Sequence, residues 1–182
     1  MNSNGTNLSA EKIAEILRAR AHTLARPAET TAATGTLLEV LEFRLAQERY
    51  AVETGLVREV HPLRELTPLP CTPPFVLGIV NVRGRILPVF DLKKFFDLPA
   101  QGLTDLHRII IVRRQDLEFG LLADVIVGVH SITVESLQPT LPTLTGIRAD
   151  YLKGVTSDAL VVLDLARLMA DPKIVIHDEV EI

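Results

Sequence analysis

Gly78-Ile79-Val80-Asn81-Val82-Arg83-Gly84-Arg85-Ile86-Leu87-Pro88-Val89-Phe90-Asp91-Leu92 is the stretch that decides the fold. Aliphatic, β-branched residues lead up to Arg83-Gly84 and away from it, the pattern of two strands joined by a tight turn. Gly84 can take positive φ in that turn, and Gly78 is assigned with it to backbone shape rather than chemistry. Asp91 stands where the second strand meets a short helix, Leu92 to Phe96, the position for a capping carboxylate.

Working outward, the plan recurs. Tyr50 to His61 lines up with Phe119 to His130, Gly78-Ile79 with Gly154-Val155, and Leu87 to Leu92 with Leu160 to Leu165, which places Asp164 opposite Asp91. Three segments in one order read as an internal repeat whose loops have drifted. The remaining strands fit it. Leu41-Glu42-Phe43-Arg44-Leu45 alternates apolar with charged, Ala46 to Arg49 is a polar turn, and Leu56 to Val60 ends at Pro62. Thr67 to Pro74 carries four prolines, so it is a connector and not a central strand. Thr72-Pro73-Pro74 is expected to open a short helix with Thr72 as its cap. The expectation is a mostly all-β fold of two tandem five-stranded lobes, about 38–98 and 104–170, built as small barrels.

Residues 1–36 differ from the rest. Ile13, Ile16, Leu17 and Leu24 form one helical stripe, Ser9 caps its start and Pro27 stops it, so an N-terminal amphipathic helix is expected over 9–25. Ala28 to Gly35 has no periodicity and reads as a flexible linker. Residues 171–182 are left as a C-terminal tail.

Composition bounds the function. Of 182 residues, 47% are hydrophobic and 23% charged, enough apolar material for a packed core. No apolar run approaches the ~20 residues that cross a bilayer, and Met1 to Thr6 is polar, unlike a secretory leader. Cys71 is the single cysteine and can close no internal disulfide. A cytoplasmic protein without membrane insertion is expected. The net charge of −4 and 4% aromatics argue against a nucleic-acid binder, which usually has a basic excess and stacking platforms.

The chain offers little chemistry. It has no phosphate loop, no dinucleotide fingerprint, no His-Glu-x-x-His and no nucleophile elbow. The five histidines have no metal-binding spacing, and no cofactor or metal is expected. Cys71 sits among prolines with no base beside it. Asp91 and Asp164 are the one carboxylate pair open to an acid–base reading, and both occupy capping positions, so a small hydrolase is the minority alternative. His61 and His130 hold matching repeat positions and read as strand-end polar residues. What remains is contact surface. Arg83 at a hairpin tip points away from its own core, and a guanidinium suits a partner's carboxylate. Val57 shares a strand face with Glu59 and reads either as core or as an apolar contact point.

The decisive stretch resembles the signature hairpin of the CheW family, the coupling proteins of bacterial chemotaxis. Its pattern, Gly-x-x-Asn-x-Arg-Gly-x-x-x-Pro-x-x-Asp-Leu, is met at every fixed position from Gly78 to Leu92. Phe43 to Val52, Val57 to Val60, Leu63 to Phe75, Gly120 to Val125 and Tyr151 to Val155 resemble the family's other segments, so that the likeness spans about 37–170. It implies two five-stranded SH3-like barrels and a non-enzymatic adaptor. One surface would hold the regulatory domain of a CheA-type histidine kinase, and a groove would hold the cytoplasmic tip of a methyl-accepting receptor. The family's receptor positions correspond to Arg83, Asn81, Val57 and Glu59. Ala46 stands where the family often has Gly, and the N-terminal helix lies outside the pattern. A CheW-like adaptor of another CheA-type pathway, such as surface motility or gene regulation, is the alternative within this class.

Overall fold

Some strands alternate buried with exposed residues, as Val76–Val82 does, while others, such as Leu160–Leu163, are buried throughout, and left-handed Ala46, Arg83 and Gln115 each end a strand. The structure is a computed structural model that describes residues 35–99, 106–139, 147–172 and 174, all within the unit Gly35–Ile182. The expected helix at 9–25, its linker up to residue 34 and most of the C-terminal tail lie outside the described residues. The described residues form ten strands: β1 Leu37–Leu45, β2 Glu48–Glu53, β3 Val57–Pro62, β4 Val76–Val82, β5 Arg85–Phe90, β6 Arg108–Arg114, β7 Leu117–Ala123, β8 Val125–Thr133, β9 Leu152–Val155 and β10 Leu160–Leu163. The helices are short: α1 Leu92–Phe95, α2 Ile147–Asp150 and α3 Leu165–Ala170.

The strands form two five-stranded sheets, ordered β8-β1-β2-β10-β9 and β3-β6-β7-β5-β4. The mostly-β, two-unit reading holds. The lobe boundaries 38–98 and 104–170 do not, because each sheet draws strands from both halves of the chain. The first half supplies β1 and β2 to one sheet and β3 to β5 to the other; the second half does the converse. Exchanging each strand for its repeat mate (β1 for β6, through β5 for β10) turns one sheet order into the other, so the repeat is real and its copies are interleaved. Two parallel pairs, β2 with β10 and β5 with β7, join the halves within the sheets.

The repeat carries its backbone devices with it. Asp91 Oδ1 accepts from the Lys93 N–H at 2.9 Å at the start of α1, and Asp164 Oδ1 from the Arg167 N–H at 3.0 Å at the start of α3. Gly78 has φ +145, and a Cβ there would meet Thr67 O at 2.2 Å. The cause is a close crossing in which Thr67 pairs with Ile79. Gly154 repeats the arrangement: a Cβ there would meet Leu137 Cβ at 2.9 Å, beside the pairing of Gln138 with Val155. The expected helix at Thr72 is absent. Residues 71–75 turn instead, with Pro73 O accepting from Val76 N–H at 2.9 Å. A residue before proline avoids the helical region, and β4 follows too soon for a helical turn to develop.

One large core joins the sheets. All six phenylalanines and both tyrosines lie in it or pack against it, with ring contacts such as Phe90–Phe119 at 4.8 Å and Phe75–Phe95 at 5.1 Å. Every aromatic ring is thereby committed to packing.

Candidate functional site

The β4–β5 hairpin presents the site. Arg83 (φ 53) and Gly84 (φ 82) are both left-handed, the conformation of a type I′ turn, which matches the twist of the strands it joins. Asn81 Oδ1 accepts from the Gly84 N–H at 2.8 Å and locks the turn. Arg83 is carried outward with its side chain 76% exposed, and its Nη2 lies 3.2 Å from Glu59 Oε2.

Glu59, on β3, is mostly buried and is shared. Its Oε1 lies 3.2 Å from Arg85 Nη2, and Arg85 Nη1 reaches onward to the Glu118 carboxylate on β7. Glu118 Oε1 in turn lies 3.6 Å from Arg58 Nε. Hydrogen bonding to Glu118 is the main cause of the raised pKa of Arg85, with the charges of Glu118 and Glu59 adding to it, so the guanidinium stays ionised. Beside this row lies a cleft of about 160 Å³, with Val80, Val82 and Ile109 as apolar lining and His61, Arg64, Glu65 and Asn81 as polar lining.

Three of the four residues singled out, Arg83, Asn81 and Glu59, therefore come together around one turn. Val57 does not join them: it is half-buried against the large core, while Arg58 and Val60 are the exposed residues of β3. A register shift between Val57 and Glu59 makes Arg58 the extra residue of a bulge, a device that re-aims a side chain. Sequence reasoning missed Arg58, Arg85 and Glu118. Arg85 was legible as the turn's second arginine, but nothing local announces Glu118, which lies 33 residues from its partner.

Asp91 and Asp164 each have a carboxylate oxygen engaged by the helix start that it caps, which removes the motive for an acid–base pair. Among the described residues, no group of three or more His, Cys, Asp or Glu is placed to hold a metal ion, and no helix is long and apolar enough to cross a membrane.

Comparison with known proteins places the chain in a family. A family profile described as the CheW-like domain matches residues 39–173. The chemotaxis protein CheW of Treponema pallidum is 30% identical over 143 residues, covering 75% of this chain and 84% of that protein. Protein FrzA of Myxococcus xanthus is 32% identical, covering 70% and 82%. The crystal structure of the scaffolding protein TtCheW from Thermoanaerobacter tengcongensis superposes with a TM-score of 0.64 at 34% identity, covering 74% of this chain and 88% of that one. The interleaved two-sheet architecture, the complete hairpin signature and the profile match lead to one conclusion: the chain belongs to the CheW family of chemotaxis coupling proteins.

Proposed function

We propose that this protein joins the cytoplasmic tip of a methyl-accepting chemotaxis receptor to the regulatory domain of a CheA-type histidine kinase, and that the β4–β5 turn faces the receptor. The observation that carries this reading is the left-handed, exposed Arg83. Its side chain is carried clear of its own core, where a partner's carboxylate can reach the guanidinium. Asn81 and Glu59 hold the turn and the guanidinium. Val57 serves this surface from below, as packing that seats β3. The adaptor carries out no catalysis and works in the cytoplasm, recruited to receptors at the membrane.

Binding of the full chain to a receptor tip fragment and to the kinase regulatory domain, measured in parallel, tests this. Arg83→Glu should weaken tip binding at least tenfold and leave kinase binding intact, because it places like charge against an acidic partner. Arg83→Gly should do the same with melting temperature unchanged or raised, since glycine relieves the turn. Equal loss of both partners would make Arg83 structural and sink the assignment. A saturable thermal shift with ATP or zinc at sub-millimolar concentration would contradict the non-catalytic reading.

A second reading rests on a relative not named as a chemotaxis CheW, protein FrzA, being as similar to this chain as one that is. In it the adaptor serves another CheA-type pathway. Deletion of the gene with swimming and surface motility scored separately distinguishes the two.

A further inference from the structure

We propose that Arg58 is a second partner-contacting residue, so that receptor recognition uses two guanidiniums held at the ends of one alternating charge row; this rests on the receptor-facing assignment of the β4–β5 turn. The row runs Arg58, Glu118, Arg85, Glu59, Arg83, with Arg58 Nε 3.6 Å from Glu118, Arg85 bridging both carboxylates, and Arg83 3.2 Å from Glu59. Its interior is sheltered and its ends are open: the side chains of Glu59 and Glu118 are 18% and 14% exposed, whereas Arg58 is 42% and Arg83 76% exposed.

Three positive charges against two negative leave the row net positive, so the ligand it fits is an acidic surface. The two exposed cations call for two carboxylates rather than one. Arg85 is the positioning residue. By engaging both glutamates it fixes the counter-charges on which Arg58 and Arg83 rest, and it keeps either glutamate from neutralising its exposed arginine alone. Fixed side chains lose less freedom on association, so the row gains affinity through preorganisation. The bulge at Arg58 belongs to the same device, because a regular β3 would not insert this extra residue into the row.

The experiment uses the full chain and a soluble receptor tip fragment, with affinity followed from 50 to 500 mM NaCl. Arg58→Glu should weaken tip binding roughly tenfold, comparably to Arg83→Glu, while kinase binding and melting temperature hold. Arg58→Gln should lower the salt dependence of tip binding, a readout that a packing role would not move. Arg85→Gln should weaken tip binding while kinase binding holds, and Arg85→Lys, which keeps the positive charge between the two glutamates, should restore part of it. If Arg83→Glu abolishes tip binding while Arg58→Glu binds as the parent does, the second contact is wrong and the receptor-facing turn survives. If neither reversal matters, or the parent does not bind the tip, the receptor-facing assignment falls and takes this inference with it.

Discussion

At the scale of single residues, glycine positions separate two kinds of necessity. Gly84 needs only its left-handed φ of +82, with open space where a Cβ would stand, whereas Gly78 also faces Thr67 O at 2.2 Å from that position. Gly84→Ala should therefore cost about 1 kcal/mol, and Gly78→Ala roughly two to three times as much, read from urea midpoints. Ala46 is the converse case. It holds φ 54 in the β1–β2 turn, where a glycine would be unstrained, and its N–H donates to Asp124 Oδ2 at 2.7 Å in either case. Ala46→Gly should raise stability by up to about 1 kcal/mol, offset in part by the freedom that glycine gains in the unfolded chain. A lower melting temperature for Ala46→Gly would show that the turn is not under strain.

At the scale of elements, a buried ion cluster ties together pieces that the sheets do not. Lys93 of α1 is 1% exposed and bonds to Asp124, which sits where the chain crosses from β7 to β8. His107 Nε2, just before β6, lies 2.9 Å from the same carboxylate. Burial alone would raise the pKa of Asp124, but the Lys93 and Ala46 hydrogen bonds and the charges of Lys93 and His107 hold it below its ordinary 3.8. A carboxyl depressed in the folded state stabilises above the unfolded value and loses that contribution as pH falls through the folded one. The fold should thus weaken below about pH 4. Asp124→Asn should flatten this acid limb in melts taken between pH 5 and pH 3. At neutral pH it should cost about 3 kcal/mol, lowering the melting temperature by roughly 6–12 °C, because it strands a buried ammonium. An unchanged acid limb would place the sensitivity elsewhere, with Glu42 next in line, since its hydrogen bond to Arg49 lowers its pKa too.

At the scale of the whole molecule, interleaving makes the halves interdependent. A fragment covering residues 35–99 lacks β8, β9 and β10 of one sheet and β6 and β7 of the other. Its strands β5 and β2 would each expose an edge that β7 and β10 cover in the complete chain. That fragment alone should show no cooperative melt by circular dichroism, and neither should residues 104–174. Co-expressed, the two should assemble into a species that melts as one unit. Independent cooperative unfolding of either fragment would contradict the strand orders described here. Deleting residues 1–34 tests a separate matter, the importance of the N-terminal stripe. With the two sheets complete from Gly35 onward, the melting temperature should fall by only a few degrees.

Local information was enough for much of this. The tight turn at Arg83-Gly84, the caps at Asp91 and Asp164, the alternation within strands and the internal repeat all depend on residues near one another in the chain, where periodicity and backbone preference act directly. The false helix at Thr72 was also a local judgement, and the nearness of β4 overruled it. Strand partnership was not local. A repeat states that β2 resembles β7, but not whether β10 pairs with β2 or with β7; the pairing of Leu160 with Arg49 joins residues far apart along the chain. The same separation hid the charge row, because Arg58, Arg85 and Glu118 lie on three strands and meet only when β3, β5 and β7 are laid into one sheet. Sequence determined the elements and the exposed arginine; the tertiary structure alone decided which half completes which sheet and which carboxylates hold that arginine, since both follow from contacts between residues far apart along the chain.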